Sequence, residues 1–119
     1  MHVHATTFDS ANGYGKVACS VLRCLDIVGR SYTISSFNPI PECLHKFHAK
    51  KDADVVIAEP SSRIPGPVQF TMYESSLLPK DLVAVLNKRK LIIVPCEQNK
   101  QIFKASWIRS TVEVCNLGV

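Results

Sequence analysis

Asp54-Val55-Val56-Ile57-Ala58 holds four consecutive apolar residues, three of them β-branched. A strand with one face in water alternates polar and apolar positions, whereas a strand covered on both faces reads as an unbroken apolar run. Burial on both faces is the mark of a parallel sheet, whose strands are joined by crossovers that lay helices over the two surfaces. Upstream, His2 to Phe8 alternates as a strand, and Lys16 to Val28 sets Val17, Val21, Leu25 and Val28 on one helical face with Gly29 as its stop. Tyr32 to Phe37 reads as a second strand and Pro41 to Ala49 as a short helix. Downstream, Pro60 to Pro67 holds three prolines and one glycine and has no regular form. Beyond it come a strand from Val68 to Met72, a helix from Pro79 to Asn87, a strand from Leu91 to Val94, a helix from Gln98 to Trp107 and a strand from Thr111 to Val114. Six strands separated mostly by helices predict an α/β fold with one doubly wound, mostly parallel sheet, helices on both faces, and a single domain over residues 1–119. Ligands of such sheets sit beyond the carboxyl ends of the strands, so the loops after Phe8, Phe37, Ala58, Met72 and Val94 are the candidates.

A chain of 119 residues is one ordinary domain that buries roughly two-thirds of its unfolded surface. Its formal charge is +4, but the tight basic clusters are only Lys50-Lys51 and Lys88-Arg89-Lys90, without interleaved aromatic residues. They read as solvated helix ends, and a nucleic-acid partner is not expected. The five cysteines, Cys19, Cys24, Cys43, Cys96 and Cys115, are odd in number and contain no Cys-x-x-Cys pair, so they read as small buried residues in a reducing compartment. No apolar run approaches the ~18 residues of a membrane span. Met1-His2-Val3-His4 lacks the basic and apolar regions of a signal peptide, and the expected location is cytoplasmic.

The loop after the first strand reads Asp9-Ser10-Ala11-Asn12-Gly13-Tyr14-Gly15-Lys16-Val17-Ala18. A glycine-rich turn that opens a helix presents backbone N–H groups at the positive end of the helix dipole, where an anion binds. The functional reading of Gly13, Tyr14, Gly15 and Lys16 is therefore an anion cradle, with Lys16 adding a charge. The plain structural reading is a tight turn that needs φ > 0 at its glycines. Although Gly13, Gly15 and Ala18 satisfy G-x-G-x-x-A, residues 9–12 separate the strand from the first glycine, and Ser35-Ser36-Phe37-Asn38 offers no carboxylate for a ribose. A nicotinamide enzyme is set aside on those grounds. A Walker loop fails because Ser10 stands where glycine is required and Val17 where a hydroxyl is required. A phospho-receiver would want a lysine where Pro95-Cys96 follows the fifth strand.

No other constellation assembles from the sequence. His45 and His48 form an i, i+3 pair on a predicted helix, but Cys43 lies on the wrong face to complete a metal site, and no metal or other cofactor is expected. Ser10, Ser75 and Cys96 stand at strand ends without an identifiable base, so no catalytic residue is assigned. Glu74, just past a strand end and followed by Ser75 and Ser76, either caps a turn or accepts hydrogen bonds from sugar hydroxyls.

At this stretch a resemblance becomes specific. Glu74-Ser75-Ser76-Leu77-Leu78-Pro79, with Leu82-Val83 and Leu86-Asn87 behind it, resembles a segment of the large retaining family of GT-B glycosyltransferases that includes glycogen-synthase-like and mannosyltransferase-like enzymes. Val94-Pro95-Cys96-Glu97-Gln98-Asn99, continuing to Phe103, resembles that family's Val-Pro-Ser segment, with Cys96 in the serine position. Val114-Cys115-Asn116-Leu117-Gly118-Val119 resembles its Asn-Gly-Val ending with Leu117 inserted, and Gly13-Tyr14-Gly15 its first glycine loop. The four matches occur in the family's order over essentially the whole chain.

The resemblance implies a Rossmann-like N-terminal, acceptor-side domain ending at a domain boundary, without the domain that holds the nucleotide-sugar. Gly13, Tyr14, Gly15 and Lys16 would then approach the donor diphosphate, and Glu74 with Ser75 would lie on the acceptor side. The implied partners are a nucleotide-sugar, a sugar-bearing acceptor, and either a second copy of this chain or a separate donor-domain chain, because one half-cleft supplies neither the register nor the positive groups that transfer needs. The competing expectation is a non-catalytic binding or assembly module derived from that domain, for example one encoded in a compact viral genome. An unrelated flavodoxin-like small-molecule binder is the third.

Overall fold

The computed structural model describes residues 1–73 and 77–116. Its strands are β1 (His2–Ala5), β2 (Thr33–Ser36), β3 (Val55–Ile57), β4 (Val68–Phe70), β5 (Leu91–Val94) and β6 (Thr111–Val114). The helices are α1 (Gly13–Ile27), α2 (Lys80–Leu86) and α3 (Glu97–Ala105), with a 3₁₀ segment at Glu42–Phe47. All six strands form one sheet in the order β2-β1-β3-β4-β5-β6. Every neighbouring pair is parallel, so the sheet is wholly rather than mostly parallel.

One further pairing extends the order. His48 forms an isolated parallel bridge with Ile34, and Ala49 N–H donates to the Ile34 carbonyl at 2.9 Å. Residue 48 thus lies outside β2, where the outermost strand of the order 3-2-1-4-5-6 runs in a dinucleotide-type sheet. Residues 41–49, read from sequence as a helix, divide instead into one 3₁₀ segment and this vestige of a strand. The six residues between Pro41 and the His48 bridge take the 3₁₀ form, which short helical pieces commonly adopt.

The two faces of the sheet are told apart by alternation. Val3, Ala5, Ile34, Ile57 and Phe70 pack with Val17, Ala18, Leu22 and Leu25 of α1, joined by Ile93 and by Leu44 and Phe47 of the 3₁₀ segment. Ile92, Val94 and Val112 point the other way and pack with Leu86 of α2 and Phe103 of α3. Val56, in the run that opened the sequence reading, is fully buried on the second face while Ile57 is fully buried on the first.

Helix ends move relative to the sequence reading for identifiable reasons. Helix α1 starts at Gly13, because Asn12 is its N-cap and accepts from Tyr14 N–H at 2.9 Å. Its inward face is Val17, Ala18, Leu22 and Leu25, while Val28 caps the helix and is exposed. Gly29 adopts φ 73°, and Arg30 N–H donates to the Leu25 carbonyl at 2.9 Å, closing the helix as a Schellman turn. Helix α3 closes in the same way, but with Trp107 at φ 70° and largely exposed, a conformation that costs a bulky side chain more than it costs glycine.

Two composition-based expectations are corrected. The cysteines are not core residues: Cys24, Cys43 and Cys96 are exposed and Cys19 and Cys115 half-buried, all as free thiols. Arg89 is no solvated helix end but a buried residue. Its Nε donates to Gln69 Oε1 at 2.8 Å, and one terminal nitrogen donates to the Gly66 carbonyl at 2.8 Å. Burial lowers its pKa, and carbonyl dipoles rather than a carboxylate surround the charge.

Candidate functional site

Residues 6–12 carry the chain from β1 to α1 as a self-bonded turn. Asp9 N–H donates to Thr7 Oγ1 at 3.0 Å, Ala11 N–H to Asp9 Oδ1 at 2.9 Å, and Asn12 N–H to the Asp9 carbonyl at 3.0 Å. The two glycines of this loop differ in kind. A Cβ on Gly15 would lie 1.8 Å from the Asp9 carbonyl oxygen, whereas one on Gly13 would meet nothing within 4 Å. Neither has a positive φ, so the tight-turn explanation is replaced by a steric one. Gly15 lets the first turn of α1 lie against the backbone of the loop that precedes it, and Gly13 is free of that constraint.

Beside this loop runs a groove of about 440 Å³ lined by Ser10, Gly13, Lys16, Ser20 and Arg23 on one wall and by Phe70, Met72 and Pro95 on the other. Lys16 and Arg23 are exposed, and among the described residues no carboxylate lines the groove, so the charges of its described lining favour an anion. Cys19 also reaches it, with a thiol pKa raised chiefly by burial. The Tyr14 hydroxyl donates to the Met72 carbonyl at 3.4 Å, joining the glycine loop to the end of β4. Gly13 and Lys16 therefore share one concavity, with Tyr14 hydrogen-bonded to Met72 of its opposite wall. Glu74 and Ser75 lie outside the described residues.

The segment after β5 is tied to the same end of the sheet. Asn99, nearly buried in the first turn of α3, accepts from Tyr73 N–H at 2.7 Å and donates to Cys96 Sγ at 3.1 Å. Phe103, one turn further on, is fully buried. Both residues in the Val94 to Phe103 segment thus have structural work: one pins the chain leaving β4, the other fills the core.

A second concavity opens where the strand order reverses. Chain connections lead from β1 toward β2 but from β3 toward β4, and the gap between their carboxyl ends is the topological switch point. A crevice of about 440 Å³ occupies it, lined by His4, Thr6, Phe37, Ala58, Glu59, Ser62, Arg63 and Ile64. Thr6 Oγ1 donates to Glu59 Oε2 at 2.9 Å across the gap. The His4 pKa is lowered, first by burial and then by His2 beside it, which favours a neutral ring. Of this lining the sequence reading marks only the loops after Phe37 and Ala58; that His4 and Thr6 face them depends on β1 pairing with both β2 and β3.

The histidine pair read as a metal candidate does not assemble. His45 Nε2 lies 2.7 Å from the Ile40 carbonyl, and among the described residues no three His, Cys, Asp or Glu side chains converge on a metal position. No helix among the described residues is long and apolar enough to cross a membrane. Comparison with protein-family models, curated proteins and solved structures returns no match to any of them.

Proposed function

We propose that this chain acts in sugar transfer as the N-terminal, acceptor-side domain of a GT-B glycosyltransferase, and that its glycine-loop groove faces the diphosphate of a nucleotide-sugar. The observation that supports this reading is convergence. Two segments that resemble the family separately, the loop at Gly13 to Lys16 and Val94-Pro95-Cys96, contribute Gly13, Lys16 and Pro95 to one groove, where they meet Met72, two residues ahead of the Glu74 stretch.

In this reading Lys16 and Arg23 supply positive charge toward a departing diphosphate, and the α1 N-terminus adds its dipole. One such wall holds an anion weakly. Full stabilisation of the leaving group requires fixed cations on the facing side, supplied by a donor-binding domain or partner chain. Substrates would be a nucleotide-sugar and a sugar-bearing acceptor.

The test is calorimetric titration of the folded chain with a panel of nucleotide-diphosphate sugars. Lys16→Ala is the informative variant, because its side chain is exposed and its loss leaves the core intact. Weak binding that falls roughly tenfold in Lys16→Ala, the loss of one charge-assisted contact, is the expected result. Absence of binding to every donor, or binding indifferent to Lys16→Ala, overturns the reading and favours the binding or assembly module. Gly15→Val is unsuitable as a control, since its Cβ collides with the Asp9 backbone; Lys104→Ala, which removes an exposed charge that does not line the groove, is the silent one.

A further inference from the structure

We propose that the crevice at the switch point is a binding site for a polyhydroxylated ring, a sugar or cyclic polyol, held by Glu59, Arg63 and His4 against Phe37. The inference deepens the transferase reading, and rests on it only in giving the sugar-bearing acceptor a place; no residue of the glycine-loop groove takes part.

The walls of the crevice are fixed from behind. Thr6 N–H donates to the Ile57 carbonyl at 3.0 Å, and the Thr6 carbonyl accepts from Asn38 N–H at 3.1 Å and Ser36 Oγ at 3.2 Å, which locks it to both neighbouring strands. On the other side, fully buried Gln69 donates to the Ala58 and Glu59 carbonyls at 3.1 and 2.9 Å, and Arg89 anchors both Gln69 and Gly66. The loop that carries Glu59, Ser62 and Arg63 is therefore braced by a buried polar relay. Sites held in this way need little reorganisation to bind.

The chemistry of the lining selects the ligand. Thr6 occupies Glu59 Oε2, while Oε1 accepts no hydrogen bond among the described residues. His4 is held through Nδ1, 2.8 Å from Ser35 Oγ, and its Nε2 has no hydrogen-bond partner among the described residues. Arg63 and Ser62 add donors. A ligand must therefore both donate and accept at several points, and the hydroxyl is the group that does both. Phe37 is 85% exposed and Ile64 38% exposed on the rim, an apolar wall that folding leaves in water. The C–H face of a sugar ring covers such a wall while its hydroxyls reach the carboxylate and guanidinium.

The experiment is a titration of the ¹⁵N-labelled chain with glucose, mannose and myo-inositol, reading backbone amide shifts by NMR. Saturable shifts at Thr6, Phe37, Glu59 and Ser62 with at least one of the three are expected. Phe37→Ala and Glu59→Gln, both at exposed positions that the core does not use, should each weaken binding roughly tenfold. Uridine diphosphate serves as the second probe and should move Gly13 to Lys16 instead, so that failure at one site is read independently of the other. The proposal is overturned if none of the three compounds gives saturable shifts at those four residues, or if the shifts persist undiminished in the Phe37→Ala/Glu59→Gln double variant.

Discussion

One row of side chains, Ser35, His4, Val56, Gln69, Ile92 and Val112, crosses a single face of the sheet from one edge to the other. At the β2 and β1 end that face is polar. His2 Nδ1 lies 2.7 Å from Thr33 Oγ1 and His2 Nε2 2.9 Å from Ser35 Oγ, which also lies 2.8 Å from His4 Nδ1. Since the Ser35 hydroxyl has one proton to give, at least one of the two rings must donate to it, and the chain from Thr33 to His4 is a connected network. At the β5 and β6 end the same face is apolar and covered by α2 and α3. The difference separates two tasks: the apolar half excludes water and holds the fold, whereas the polar half carries a hydrogen-bonded network whose last member, His4, lines the switch-point crevice.

The largest expected effect breaks the apolar half. Phe103→Ala empties the centre of a fully buried cluster and should cost about 3–5 kcal/mol, measured as a shift of the urea midpoint at constant m-value. A loss smaller than about 1 kcal/mol would mean that α3 is not the cover of that face.

The polar half should respond to pH, which Phe103 cannot. Burial comes first in lowering the pKa of both His2 and His4 below 6.5; His4 is lowered further by His2, and His2 by Lys51, the N-terminal ammonium and His48, with Asp54 opposing. A histidine whose folded pKa is depressed binds fewer protons than in the unfolded chain, so stability rises with pH through the window between the two values. It is fully present above 6.5 and lost as pH falls from there toward the folded pKa values. Thermal melts taken from pH about 7.5 down to 5 should show a falling Tm, with the slope reduced in His4→Gln. A flat Tm over that range would remove the histidine network from the stability of the domain.

The smallest effect sharpens the seam between the halves. Thr71 is fully buried just beyond β4, and its Oγ1 has no hydrogen-bond partner among the described residues. Thr71→Val removes that desolvated hydroxyl with little change of shape and should stabilise the chain by about 1 kcal/mol in the same urea assay. Destabilisation would show that the hydroxyl has a partner in solution.

Much of the fold was legible in the residues. All six strands and the three α-helices fall where periodicity put them, because β-branched runs such as Val55 to Ile57 and Leu91 to Val94 have few other ways to be buried. The 3₁₀ segment with the His48 bridge was not legible, since its six residues carry no period of their own and take their form from the edge of β2. Nor was Arg89: in a Lys-Arg-Lys run nothing local distinguishes the one side chain that turns inward to Gln69 and the Gly66 carbonyl. Of the candidate site, the glycine loop was visible as a motif, but the reason for Gly15 was not, because the contact that requires glycine is with a backbone six residues earlier rather than with its own φ.

The sequence by itself determined an α/β chain of alternating strands and helices, since apolar period and length are local properties that each segment carries wherever it lies. Only the tertiary structure decided that β1 sits between β2 and β3, and with it which residues meet. That placement brings Thr6 to Glu59, sets His4 beside Ser35, and gathers Gly13, Lys16, Met72 and Pro95 around one groove. Strand order is a choice among long-range pairings of similar backbone energy, and it is settled by packing over the whole sheet rather than by any stretch of residues within it.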